Sequence, residues 1–271
     1  MKTIFNIIFF ALSFIGAVAQ DTEKPIEKYI NFNIGFQNRV LLDEQKSALS
    51  YSSGEYLAGL SFTRNGVHSI TEISLDAGRG NFSPRHIGNR WIYTTSYDIH
   101  GNATTDSFPV TSGISSGKLQ ISYLNKLSKG RTIWLAGAAL KELLVYPDNN
   151  IGLLNSIGIH IKLGLLQQLG SKGRFQADLS FPLFAVNTRL PWHNTATSPL
   201  DPEFATFFKK GTRLVGIDKF RMLEFNMNYH LHIAKHWSLG AGYSLTWLNV
   251  PYYQPMRSYM NSFKVQTTYI F

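Results

Sequence analysis

The chain has 271 residues, of which 44% are hydrophobic, 14% aromatic and only 16% charged, with no cysteine and a formal charge of +9. A mean hydropathy of −0.09 excludes a bundle of membrane helices, each of which needs about 20 consecutive apolar residues. The missing cysteines exclude disulfides, thiol nucleophiles, thiolate metal sites and a lipid anchor on an N-terminal Cys; the dispersed basic residues, with no long block of like charge, argue against nucleic acid.

Residues 1–19, MKTIFNIIFFALSFIGAVA, have the form of a secretory signal peptide. Lys2 supplies the positive start, Ile4 to Ile15 the apolar core, and Ala17-Val18-Ala19 a small-residue cleavage site before Gln20. Residues 20–27 then read as a short, charged periplasmic lead-in containing Pro25. No later stretch approaches 18 continuous apolar residues.

From residue 28 onward the dominant signal is alternation with a period of two, as in a strand with one apolar and one polar face. Ile30, Phe32, Ile34 and Phe36 oppose Asn31, Asn33, Gly35, Gln37 and Arg39. Tyr56, Ala58, Leu60 and Phe62 oppose Glu55, Gly59, Ser61 and Thr63, and Asn65-Gly66 supplies a tight hairpin turn. The third run, Val67 to Ala77, sets Ile73 and Leu75 against Glu72, Ser74 and Asp76. Leu119, Ile121 and Tyr123 oppose Lys118, Gln120 and Ser122.

A fifth run covers Thr132 to Tyr146, where Ala136-Gly137-Ala138-Ala139 obscures the phase and suggests a β-bulge. Ile157 to Leu165 then alternates with Ser156, Gly158, His160, Lys162 and Gly164. Phe175 to Leu183 alternates with Arg174, Gln176, Asp178 and Ser180. Leu223 to Leu231 opposes Glu224, Asn226, Asn228, His230 and His232. Trp237 to Trp247 and Tyr259 to Phe271 complete the series.

Ten runs, an even number, predict an all-β fold: one antiparallel, up-and-down transmembrane β-barrel over residues 28–271, with eight or twelve strands as alternative counts. The connections also alternate in length. Short turns fall near 65, 129, 172 and 235, and long ones cover 41–54, 78–115, 147–155, 185–217 and 248–258. An amino terminus in the periplasm puts every short turn on that side, as in outer-membrane barrels. A soluble β-sandwich has no cause to sort its loops, and would turn Trp237 and Trp247 inward instead of towards the two membrane boundaries.

The last segment, Ser262 to Phe271, places Phe263, Val265, Tyr269 and Phe271 on one face and ends in an aromatic residue. It resembles the terminal β-signal of small bacterial outer-membrane β-barrel proteins. The resemblance implies insertion by the barrel-assembly machinery and residence in the outer membrane, among its lipids and lipopolysaccharide. It also brings in the chemistries known on such barrels, such as omptin-type proteases with Asp and His high in the barrel, and lipid-modifying hydrolases with Ser and His.

Residues of those types are present, but no catalytic, cofactor-binding or metal-binding role follows for any of them. The inward positions carry Arg39, Glu55, Glu72, Asp76, Lys118, His160, Lys162, Arg174, Asp178, Glu224 and Lys264, both signs in similar numbers, which should pair across the interior. His230 and His232 lie at the periplasmic end, opposite to an outward-opening site, with a spacing that could hold a metal. Trp192, His193, Asn194, Ser198 and Asp201 share one long loop without forming a recognisable motif.

Aromatic and basic residues are mixed in two loops. Phe82, His86, Trp91, Tyr93, Tyr97 and Phe108 accompany Arg79, Arg85 and Arg90; Phe204, Phe207 and Phe208 accompany Lys209, Lys210 and Arg213. They either grip an envelope partner or pack on each other over the barrel mouth. The expected function is a non-enzymatic structural or docking barrel, with a narrow pore and an outer-membrane hydrolase as alternatives.

Overall fold

The computed structural model describes residues 26–45, 47–86, 91–97, 102–109, 111–148, 151–189 and 203–271. The signal-peptide segment lies outside them. In chain order the strands are β1 (Glu27–Asp43), β2 (Ser50–Asn65), β3 (Ser69–Pro84), β4 (Trp91–Tyr97), β5 (Ala103–Pro109), β6 (Ser112–Lys126) and β7 (Thr132–Pro147). They continue with β8 (Leu154–Leu169), β9 (Gly173–Thr188), helix α1 (Glu203–Gly211), β10 (Thr212–Gly216), β11 (Arg221–Ala234), β12 (Trp237–Val250) and β13 (Met256–Ile270).

The expected ten-stranded barrel is present: β1, β2, β3, β6, β7, β8, β9, β11, β12 and β13 pair in that order, and β13 closes on β1. Stepping across paired residues from Glu27 through Asn65, Ile70, Leu124, Gly137, Lys162, Ser180, Glu224, Thr246 and Met260 returns to β1 at Arg39, not Glu27. This stagger of 12 residues tilts the strands by roughly 40° to the barrel axis.

The bulge expected at Ala136–Ala139 is absent. β7 keeps one unbroken register with β6 and β8, so Lys141 faces inward and Glu142 outward. Alanine and glycine blurred the phase only because they are small. The irregularities lie elsewhere, at Ile159/His160 opposite Pro182 and at His232/Ala234. β10 runs along β9 in line with β11, since Gly216 faces Phe184 and Glu224 faces Ser180. Residues 217–220 are looped out between them, in a turn where Lys219 and Phe220 both donate to the Gly216 carbonyl.

The strands are longer than the sequence predicted. β1 has 17 residues and β3 has 16, whereas about 9–11 tilted residues span a bilayer. The extra length lies at the long-loop end and absorbs much of the predicted loops 41–54, 78–115 and 185–217. Between β3 and β6, β4 and β5 form a separate two-stranded ribbon.

The outer face is apolar where lipid would lie. Phe32 is 58% exposed, Ile34 69%, Leu75 55% and Val265 51%, with Trp134 and Trp237 at the short-turn end and Trp247 and Tyr259 nearer the other. In water such a belt would be an aggregation surface; in a bilayer it is the solvated face.

Candidate functional site in the barrel interior

The interior is layered along the axis. At the short-turn end one side is apolar, with Ile70, Leu124, Leu135 and Leu166 packed together. The other side is polar: Arg174 donates to the Tyr29 hydroxyl at 3.1 Å and lies over its ring, and Tyr29 in turn bonds Glu27. His230 and His232 point inward here, as the alternation required. His232 Nδ1 lies 2.8 Å from Ser238 Oγ, and His230 Nδ1 lies 3.5 Å from Thr268 Oγ1. Among the described residues no three His, Asp or Glu are grouped to hold a metal.

The middle layer is ionic, and every inward charge read from the sequence enters the interior. Arg39 bonds Glu55 through Nε at 2.8 Å and through a terminal nitrogen at 3.1 Å. Glu55 also accepts from Ser53 and Ser116. Lys264 meets Asp76 at 2.7 Å, and Lys162 meets Asp178 at 3.4 Å and Glu72 at 3.8 Å. Glu224, with no exposed surface, lies 3.1 Å from Lys118 and 3.3 Å from Lys141 and accepts from Asn226. Lys141 was missed in the sequence because the blurred phase of β7 hid its face. A cavity of about 120 Å³ lies among Glu72, Asp76, Lys118, Lys162, Asp178, Glu224 and Lys264, room for several water molecules.

The top layer was not foreseen. Leu41, Tyr51, Phe82, Ile114, Val145, Leu154, Ala185, Met222, Leu248 and Met256 form one buried apolar cluster. They come one from each barrel strand, so the cluster spans the whole cross-section. Phe82, placed by the sequence in a loop that either grips a partner or packs over the barrel mouth, lies in β3, has no exposed surface and stacks on Tyr51 with ring centroids 4.9 Å apart.

Above the cluster, Arg189 pairs with Asp43 and donates to the carbonyls of Tyr252 and Gln254 at 3.1 and 2.7 Å. Asp43 also accepts from the Gly152 amide at 2.9 Å. One buried ion pair therefore ties three connections over the mouth. Tyr253 holds a left-handed φ of 62° in this strap, and Arg213 lies over its ring.

The chemical options are correspondingly narrow. Lys141 Nζ is 2.5 Å from Ser180 Oγ, the residue types of a nucleophile and a base. Ser180 has no exposed surface, and the same ammonium lies 3.3 Å from Glu224. Ser238 and His232 touch, but no carboxylate hydrogen-bonds that imidazole among the described residues. Among the described residues, the inward positions at the long-loop end form the apolar cluster, with the Arg189–Asp43 pair above it. Trp192, His193, Asn194, Ser198 and Asp201 fall outside the described residues.

The predicted loop aromatics divide. Phe207 is buried against Leu153, whereas Trp91, Tyr93 and Tyr97 are 56%, 70% and 72% exposed on the ribbon.

No protein-family model and no curated protein matches the chain. Among solved structures, the outer membrane protease OmpT from Escherichia coli is similar at a TM-score of 0.51 and 8% identity, over 94% of this chain and 99% of that one. The translocator domain of autotransporter NalP from Neisseria meningitidis matches at a TM-score of 0.36 and 11% identity, over 99% of this chain and 97% of that one. The transport unit of autotransporter AIDA-I from Escherichia coli matches at 0.42 and 12% identity, over 96% and 97%. The likeness to OmpT is one of fold. With the closed wall and the apolar belt, it makes this chain a bacterial outer-membrane β-barrel.

Proposed function

We propose that this barrel is a closed, non-enzymatic element of the outer membrane that acts through its surface, carrying a rigid platform above the bilayer on which an envelope partner docks. The observation that carries this reading is the apolar cluster fed by every barrel strand. A solute path would need continuous polar lining, and this cluster interrupts it across the full section. The exposed aromatics of the β4–β5 ribbon support a docking role at the same end. Short turns face the periplasm and the long connections face outward, by the rule for such barrels. Ser262 to Phe271, most of it in β13, is the segment we assign to recognition by the barrel-assembly machinery.

Planar-bilayer recording on the refolded protein tests the reading. We expect a silent membrane at protein levels that give discrete steps with a known porin. Regular unitary openings would establish the pore instead. Turnover of peptide, phospholipid or lipid A by the same preparation would establish the hydrolase.

A further inference from the structure

The outer wall of β11, β12 and β13 changes character over two residues. Register places Leu223, Trp247 and Tyr259 side by side in one outward row, each 40–44% exposed. The next outward row towards the long loops is Arg221, Asn249 and Arg257. Both arginines are exposed, and Lys219 is exposed in the turn just before β11. Paired cross-strand positions lie about 5 Å apart, so the two guanidinium stems stand on the order of 10 Å from each other with an amide between them.

None of these three cations joins the ion pairs formed among the described residues. Asp218, also exposed, is the one acid in the turn. Across the barrel, β3 carries a single outward arginine, Arg79, and near its long-loop end β7 points Glu142, Leu144 and Tyr146 outward.

We propose that this wall binds the phosphates of a phosphorylated glycolipid of the outer leaflet. Charge complementarity at a defined height selects that ligand. Aromatic rings with polar edges mark the membrane boundary, so a cationic row immediately above Trp247 and Tyr259 lies at the level of lipid headgroups. Guanidinium groups take phosphate through paired N–H donors. Two of them flanking Asn249 suit phosphates at the two ends of a disaccharide, with the amide facing the sugar. The acyl chains continue down the belt over Leu223 and Phe263, which are 44% and 55% exposed. The site rests on the orientation adopted above, not on a silent lumen.

The test uses refolded full-length barrel in detergent and bisphosphorylated lipid A as probe, with binding read by native mass spectrometry. Wild type should retain the lipid, and Arg221→Glu with Arg257→Glu should weaken retention by at least about tenfold. Arg79→Glu, an exposed outward arginine on β3, should bind as wild type. Lipid A stripped of both phosphates should not be retained, and millimolar inorganic phosphate should not displace the intact lipid. Equal retention by the double variant, or of the stripped lipid, overturns the proposal, as does an equal loss in Arg79→Glu. Displacement by inorganic phosphate would reduce the site to a free-anion site and overturn it too. Folding is checked by heat-modifiable gel mobility; if the charge reversals prevent it, Arg221→Gln with Arg257→Gln carries the same expectations. Conductance is measured separately, so a leaky lumen and a missing lipid site are distinguishable.

Discussion

Glu224 shows how single residues hold this interior together. Its carboxylate is fully buried between Lys118 and Lys141, with Asn226 donating from two residues along the same strand. Taking such ions out of water costs several kcal/mol each, and only their mutual pairing offsets it. Glu224→Leu leaves two ammonium groups facing each other, and should lower unfolding stability by about 3–5 kcal/mol, read from the urea midpoint in detergent micelles. Adding Lys141→Met removes one of the stranded charges and should recover part of the loss. Strictly additive effects would mean that the two side chains do not act as a unit. Asp76 and Lys264 keep 14% and 15% of their side-chain surface exposed, so Asp76→Asn should cost less, about 1 kcal/mol.

At the level of elements, the strands were legible only where lipid lies outside. There the alternation is apolar-out and polar-in, and it placed Arg39, Glu55, Lys162 and Glu224 inside correctly. Beyond the belt the wall faces water while the interior is apolar, so the alternation changes sign. On β3 the outward residues pass from Leu75 and Ala77 to Arg79 and Asn81, while the inward ones pass from Asp76 through two glycines to Phe82. β6 behaves alike, with Gly113 and Ser115 outside Ile114, whereas β1 keeps Val40 and Leu42 outward on either side of Leu41. A reading tuned to one sign takes such segments for loops, which concealed the apolar cluster and the Arg189–Asp43 strap together.

The ribbon is a different case. β4 and β5 pair only with each other, in a sheet separate from the barrel. Replacing residues 88–110 with a short Gly-Ser linker should therefore leave folding and the urea midpoint unchanged, because loop closure changes slowly with length. The same deletion should abolish partner capture if docking runs through Trp91, Tyr93 and Tyr97. A barrel that no longer folds would show that the ribbon belongs to the fold after all.

Across the whole molecule, two solvents act on one wall: lipid around the lower part, water around the upper. The lower barrel can fill its interior with ion pairs because the apolar belt outside stabilises it. The upper barrel has no lipid to face, so its stabilisation must come from inside, as in a soluble domain, and the apolar cluster supplies it. Closure and stability are then one property.

Tyr51→Ala with Phe82→Ala tests that coupling. The stacked rings lie on adjacent strands, and the backbone pairing of Tyr51 with Pro84 and of Ser53 with Phe82 needs neither side chain. The variant should therefore keep its heat-modifiable mobility while losing several kcal/mol of stability, given that each buried Phe→Ala change costs about 3–5 kcal/mol. It should also show brief conductance steps that the native barrel lacks. Leu239→Ala, on the lipid-facing wall at 46% exposure, should show none. If the double variant is destabilised yet silent, the barrier is the Arg189–Asp43 strap, and Arg189→Ala added to it should open the lumen. If it conducts without losing stability, the cluster acts as a gate and contributes nothing to the fold, and the equation of closure with stability fails.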